Sequence, residues 1–145
     1  MDENKELLTH IYNDSDMAIS SLTVLLNKIV DKDNKIKKVT EDILKGYEEY
    51  LKKIKKYIKK YKVEIKGNSM MSKMGAKTGI SKIVDNDNSD ARIADMLIQG
   101  FTLGVLSVSK RIDNYEKEVD KSIISLAKDF KKFQQNNIEL LKKYL

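Results

Sequence analysis

Apolar residues recur at spacings of three and four along most of this chain, and no proline interrupts them. That spacing gathers apolar side chains on one face of an α-helix, so the pattern predicts long amphipathic helices. Polar clusters rich in Asp and Asn break the pattern at 31–34 and 85–89 and predict turns. We therefore predict an all-α fold, an up-down four-helix bundle whose apolar faces form one core.

The periodic segments define four long helices within a single domain, residues 1–145. A weaker apolar pattern between the second and third of them predicts a short extra helix inside a long crossover. The third long helix is apolar around much of its circumference, so we expect it to be the most buried. The long helices are predicted at about 3–30, 35–61, 89–115 and 118–144, and the short one at about 69–84.

Composition indicates the number of domains and the redox compartment of this chain. It has 145 residues, no cysteine and an apolar fraction of 41 %, which fits one folded domain in a reducing compartment. No apolar segment follows a basic start, so we expect no signal peptide. The apolar stretch 94–108 contains Asp95 and Gln99 and is shorter than a membrane span. We expect no transmembrane segment and a cytoplasmic location.

The net charge of +6 is concentrated in one lysine-rich stretch, 52–66. Such a stretch can bind nucleic acid or another anionic surface, and it can equally be the solvated face of a helix. The stretch has no arginine to contact base edges, and Tyr57 and Tyr61 fall on the apolar side, so we favour the solvated face. The lysines of this possible anion-binding face are Lys52, Lys53, Lys55, Lys56, Lys59 and Lys60.

The residues needed for catalysis are scarce. His10 is the only histidine, and Glu6 lies one helical turn before it. A catalytic metal usually takes three protein ligands, and acid–base chemistry needs a second tuned group. The chain has neither a Gly-x-Ser-x-Gly turn nor a phosphate-binding glycine loop. We predict that the protein is not an enzyme and holds no cofactor or metal.

Several polar residues interrupt the apolar faces of the predicted helices. Asp14, Tyr47 and Asn137 are expected to meet in the bundle interior as a hydrogen-bonded polar layer that fixes helix register. Carboxylates at one level of a bundle could alternatively hold a metal ion through oxygen ligands. We favour the structural layer.

Two further features concern packing. Gly100 and Gly104 lie one turn apart on the same helix face, and each glycine costs about 1 kcal/mol of helix stability relative to alanine. We expect them to permit close helix approach, with a pocket for a small apolar ligand as the alternative. The methionines of the segment 70–74 are expected to fill the core, with a binding groove as the alternative.

Three stretches carry a resemblance: Tyr12–Ala18, Ala94–Gly100 and Gln135–Leu145. On them, the chain resembles uncharacterised four-helix-bundle proteins of anaerobic Gram-positive bacteria that are similar to the ferritin-like superfamily. The resemblance implies a crossover between the second and third long helices. A ferritin-like di-iron centre would need Glu-x-x-His units, and this chain has none. The resemblance therefore does not extend to oxidase or iron-storage activity.

Together these features predict a non-catalytic helical bundle that acts as a binding or interaction protein. A homodimer could form through apolar surface on the last helix or through the segment 70–74, and a protein partner stays open. The alternatives are a carboxylate-based metal protein or oxidase of ferritin-like type and a binder of nucleic acid or anionic surfaces.

Overall fold

The computed structural model describes residues 2–145, which are almost entirely helical and contain no β-strand. The predicted all-α class is confirmed, and each helix lies within a few residues of its predicted range. The elements are α1 (Glu3–Lys28), α2 (Lys37–Lys60), α3 (Met70–Asn86), α4 (Asp90–Tyr115), α5 (Lys121–Leu141) and a final 3-10 turn (Lys142–Tyr144).

Two antiparallel hairpins make up most of the structure. α1 pairs closely with α2, and α4 pairs closely with α5. Contacts at both ends of α1 show that α4 runs antiparallel to it. At one end Arg111 of α4 meets Glu6 (3.2 Å), and at the other Asp90 accepts a hydrogen bond from Asn34 just beyond α1 (2.8 Å).

The connection from α2 to α4 crosses the length of the bundle. α2 ends beside the start of α5, where the hydroxyls of Tyr61 and Ser122 lie 3.2 Å apart. The chain then returns along α1 through the segment 61–69 and α3. Lys73 pairs with Asp16 (2.8 Å) and Asp85 with Lys28 (2.6 Å), so α3 runs parallel to α1. The stretch between α2 and α4 therefore carries α3 alongside α1.

Serine side chains cap the N-termini of α3 and α4. Ser69 Oγ accepts a hydrogen bond from the Ser72 amide (3.0 Å) and Ser89 Oγ from the Arg92 amide (3.2 Å). Each bond satisfies an amide that has no partner within its helix, which contributes about 1 kcal/mol. At the end of α2, Lys62 adopts a positive φ of 52° and terminates the helix.

The core lies between the two hairpins and contains an aromatic cluster. Tyr47 of α2 contacts Phe101 of α4 and Phe130 and Phe133 of α5, with ring centroids 4.9–6.0 Å apart. Full burial of each large apolar side chain contributes about 1.5–3 kcal/mol. These contacts join α2, α4 and α5, which lie on both sides of the core.

The expectation that the helix at 89–115 is the most buried was wrong. α4 has six buried residues among 26, whereas α5 has eight among 21. Leu103 and Leu106 of α4 are 68 % and 54 % exposed. The reason is the path of the crossover: α3 packs along α1 and leaves the outer face of α4 open.

Gly46 is a close-approach glycine that the sequence did not single out. A Cβ atom there would lie 2.5 Å from Phe133 Cε1. The Phe133 ring is itself held between Tyr47 and Tyr50, each at a centroid distance of 4.9 Å. Gly46 therefore lets α2 and α5 approach with this ring between them.

We predict that Gly46→Ala destabilises the protein by about 1–3 kcal/mol, because overpacking outweighs the gain in helix propensity. Gly100→Ala is the matched control, since a Cβ there meets nothing within 4 Å. It should stabilise by up to about 1 kcal/mol. Urea unfolding measures both values, and a stabilising Gly46→Ala would contradict the packing argument.

Candidate functional site

A groove runs along α1, bounded by α4 on one side and by the crossover on the other. It consists of three adjoining cavities. The apolar chamber, about 360 Å³, lies between α1, α3 and α4. The central chamber, about 340 Å³, lies between α1, α4 and Asn68. The outer chamber, about 480 Å³, lies at the start of α1 beside Lys66 and Arg111.

The chambers share wall residues, so they lie next to one another along α1. Asp14, Met17 and Gly100 line both the apolar and the central chamber. His10 and Asn13 line both the central and the outer chamber. The groove thus changes from apolar to polar and then to charged along α1. The apolar chamber is lined mainly by Leu22, Ile80, Ile83, Met96, Leu97 and Phe101.

Small residues on α1 and α3 keep the apolar chamber open. Ala18 and Ser21 face it from α1, and Ala76 and Gly79 face it from α3. A Cβ atom at Gly79 would meet nothing within 4 Å. Sequence analysis raised a small apolar pocket only as the alternative at Gly100 and Gly104, and Gly100 does line this chamber. It did not identify the walls on α1 and α3, although small residues spaced three apart on two neighbouring helices are a detectable sign of them.

Asp14 lies at the junction of the apolar and central chambers and joins a buried polar cluster. The Gln134 amide donates to Asp14 Oδ2 (2.9 Å) and to the Tyr47 hydroxyl (3.3 Å). Burial raises the pKa of Asp14, while the Gln134 hydrogen bond and Arg111 oppose that shift. Burial and the nearby Asp14 charge also raise the pKa of Tyr47. The cluster connects α1, α2 and α5.

The predicted polar layer requires a correction. Asp14 and Tyr47 do come together, but Gln134 bridges them and Asn137 does not. The Asn137 side chain is 4 % exposed, and its Nδ2 has no hydrogen-bond partner among the described residues. Both side chains come from the buried face of α5, one turn apart, and the turn containing Gln134 is level with Asp14. One turn of helix decides which amide reaches the carboxylate.

The two predicted packing glycines differ. A Cβ at Gly104 would lie 2.7 Å from Gln134 Nε2 and 3.2 Å from Asp14 Oδ2, so this glycine makes room for the polar cluster. Gly100 is exposed, and the expectation that it packs against a helix was wrong. It instead lines the two chambers that Asp14 joins.

His10 and Glu6 do not form a pair. Glu6 binds Arg111 Nε (3.2 Å) instead, and His10 lies half-buried between the central and outer chambers. Burial, followed by the charge of Arg111, lowers the pKa of His10 to about 4. The imidazole is therefore neutral at pH 7. Its Nε2 is buried without a hydrogen-bond partner among residues 2–145.

The remaining predicted sites lie apart from the groove. In the described part of the chain, no group of three or more His, Asp and Glu side chains is placed to hold one metal ion. The lysines of the possible anion-binding face are all exposed on α2. They are Lys52, Lys53, Lys55, Lys56, Lys59 and Lys60. The ammonium groups of Lys53 and Lys60 lie 5.0 and 5.6 Å from the rings of Tyr50 and Tyr61.

Exposed apolar side chains include the segment 70–74, one of the two surfaces considered for a homodimer. The core-filling role expected for Met70, Met71 and Met74 was wrong, since they are 78 %, 84 % and 63 % exposed. They begin α3, whose apolar contacts with the bundle come from its second half, Ile80 to Val84. Most apolar side chains of α5 are buried. Most large exposed apolar side chains therefore lie on α3 and α4, and Leu140 of α5 is 42 % exposed.

α4 is long and apolar enough to cross a membrane by length and composition alone. Its most apolar 18-residue window has a mean hydropathy of 1.3 and is 28 % buried. The apolar stretch 94–108 is itself shorter than a membrane span, whereas the helix that contains it has 26 residues. Core helices of soluble bundles have the same length and composition, so this property by itself does not place α4 in a bilayer.

The chain matches no protein-family model, and no similarity to a curated protein or to a solved structure was found. The resemblance to ferritin-like proteins of anaerobic Gram-positive bacteria receives no support from these comparisons.

We predict that two substitutions one turn apart on α5 differ in their effect on the free energy of unfolding. Gln134→Leu should destabilise by about 1–3 kcal/mol, because Asp14 and Tyr47 lose their shared donor while remaining buried. Asn137→Leu breaks no hydrogen bond of the described residues and should change stability by less than about 1 kcal/mol or increase it. Chemical unfolding compares them, and a larger loss for Asn137→Leu would show that the layer is organised differently.

Proposed function

We propose that this protein is a non-catalytic, ferritin-like helical bundle that binds a small, largely apolar molecule in the groove between α1, α3 and α4. The observation that carries the proposal is the apolar chamber. Its volume of about 360 Å³ lies within the range of small-molecule pockets. Three helices build it, and small residues keep it open where larger ones would close it.

The path of the chain supports the ferritin-like part of the proposal. α1 and α5 run in one direction and α2 and α4 in the other, with a crossover that spans the bundle between the two hairpins. Ferritin-like bundles have one such long crossover. In this chain the crossover carries α3, which is also one wall of the apolar chamber. The fold and the binding site therefore share one element.

The groove has the general chemistry of a binding site. The walls of the apolar chamber are mostly apolar, with Asp14 and Ser21 as their polar side chains, and such a combination gives pockets both affinity and orientation. The non-catalytic part rests on the polar groups along the groove. Among residues 2–145, no hydroxyl is hydrogen-bonded to His10, so no activated nucleophile of the Ser–His kind is assembled. The donor to Asp14 is an amide, which does not serve as an acid or base at neutral pH.

We predict that the neutral fluorescent dye N-phenylnaphthylamine binds the apolar chamber with increased emission. Gly79→Phe should weaken binding at least about tenfold, since the new ring would fill the chamber, a loss of about 1.4 kcal/mol. Gly75→Phe is the matched control. It lies one turn earlier on α3, where a Cβ also meets nothing within 4 Å, and it does not line the chamber.

The comparison between the two variants decides the proposal. Circular dichroism should show unchanged helix content in both, because each site has open space for a side chain. Equal dye affinity in wild type, Gly79→Phe and Gly75→Phe would contradict binding in the apolar chamber. An equal loss in both variants would contradict it as well, because the dye would then bind the exposed surface of α3.

A second candidate function is binding of nucleic acid or another anionic surface through α2. The observation that favours it is the exposure of the α2 lysines named above, none of which forms an ion pair within the described residues. Their charge is therefore available to phosphates. Such binding would be electrostatic and strongly salt-dependent.

We predict that the double substitution Lys55→Glu with Lys59→Glu lowers the salt concentration at which the protein elutes from immobilised duplex DNA. The matched control is Lys117→Glu with Lys121→Glu. This control changes the net charge by the same amount. Both of its lysines are exposed, and they are four residues apart in sequence, as Lys55 and Lys59 are. Equal elution shifts in the two variants would show that net charge alone acts, and would remove this candidate.

A further inference from the structure

We propose that the ligand of the groove carries a primary ammonium group, which binds the Asp14 carboxylate where the apolar and central chambers meet. The ligand class is therefore an apolar amine, with its hydrocarbon part in the apolar chamber. This inference rests on the binding function proposed above and names the chemistry of its ligand.

The first observation is that one carboxylate oxygen of Asp14, Oδ1, accepts no hydrogen bond from another side chain. Gln134 donates to Oδ2 at 2.9 Å, whereas Oδ1 accepts no side-chain hydrogen bond within residues 2–145. Oδ1 is not among the buried polar atoms without a partner, so it is accessible to solvent. The side chain lines both chambers. One oxygen is thus fixed by the protein, while the other stays available at the groove.

The second observation is that Asp14 has no cationic partner. Arg111 is the basic residue that affects it, but the Arg111 guanidinium is engaged elsewhere. It donates to Glu6 Oε1 (3.2 Å) and to the hydroxyl (3.0 Å) and carbonyl (3.2 Å) of Ser107. A buried carboxylate without a partner is unfavourable, which is why burial raises the pKa of Asp14. An ammonium group would supply the missing charge and a charge-assisted hydrogen bond.

The third observation concerns the wall beside Asp14. His10 and Asn13 line the central chamber together with Asp14, at helical spacings of three and four on α1. His10 Nε2 and Asn13 Oδ1 have no hydrogen-bond partner within residues 2–145. The low pKa of His10, about 4, leaves its imidazole uncharged at pH 7. The wall therefore places no positive charge beside the carboxylate that would compete with an ammonium group.

The competing ligand is an apolar carboxylate with its head group in the outer chamber. Lys5, Lys66 and Arg111 line that chamber, but Glu6 and Glu64 line it too, and Glu6 already binds Arg111. A carboxylate would also have to pass Asp14, which repels it. The charges along the groove thus favour the amine over the acid.

The experiment compares three probes of equal chain length: octylamine, octanol and octanoate. Displacement of N-phenylnaphthylamine at pH 7 gives their affinities for the wild-type protein. We expect octylamine to bind at least about tenfold more tightly than octanol, with octanoate weakest, as one charge-assisted hydrogen bond implies. Asp14→Asn should reduce the preference for octylamine over octanol to less than about threefold.

Asp95→Asn is the control, because Asp95 of α4 pairs with Arg92 and does not line the groove. It should keep the full preference for the amine. Octanoate or octanol binding as tightly as octylamine to the wild-type protein would overturn the inference, and this result needs no variant to fold. In that case the proposed binding function would still be upheld if the wild-type protein binds the dye and Gly79→Phe abolishes this binding. Absence of dye binding would instead contradict the function itself.

Discussion

The hydrogen bonds of Gln134 connect the middle of the bundle and determine how the site is built. One amide from α5 donates to a carboxylate on α1 and to a hydroxyl on α2. Burial leaves little water to replace these bonds, so relative sliding of the three helices would leave polar groups unpaired. The same bonds hold the carboxylate of Asp14, which lines both the apolar and the central chamber. Register and site geometry therefore depend on a single side chain.

The crossover determines where apolar surface is left over. α3 packs along α1, not across α4, so it closes one side of a groove and leaves the outer face of α4 exposed. A weakly packed helix suits such a role, because walls of binding sites are often the least stable part of a fold. Only Val84 of α3 is fully buried. The chamber is thus bounded by two firmly packed helices and one that has few buried contacts.

The architecture was predictable from the sequence because it depends on periodicity. Apolar spacing and polar clusters place every helix within a few residues, and the long connection predicts a crossover. The error at α4 has a physical cause: an apolar circumference shows that a helix can be buried but does not show what covers it. Likewise, Met70, Met71 and Met74 are apolar in the sequence but extend beyond the part of α3 that contacts the bundle.

The candidate site was predictable only in part. It depends on how each helix is rotated about its axis and on how far it is shifted along its neighbours. Asp14 and Tyr47 stood out as polar residues on apolar faces, but the choice between Gln134 and Asn137 depends on the height of α5 relative to α1. Gly46 escaped notice because its neighbour, Phe133, is 87 positions away in sequence. Such pairings arise from the packing of elements, which single-sequence periodicity does not encode.

Buried polar side-chain atoms without hydrogen-bond partners are concentrated on one helix. Native proteins leave few buried polar atoms without partners. Here the described residues contain seven such side-chain atoms, and five of them lie on the first four turns of α1: Glu6, Thr9, His10, Asn13 and Ser15. The two others, Gln134 and Asn137, lie on α5. His10 and Asn13 line the central chamber together with Asp14, and Glu6 and Thr9 line the outer chamber, whereas Ser15 lines neither. Four of the five residues on α1 therefore follow the polar part of the groove, where the helices supply fewer hydrogen-bond partners than side chains require.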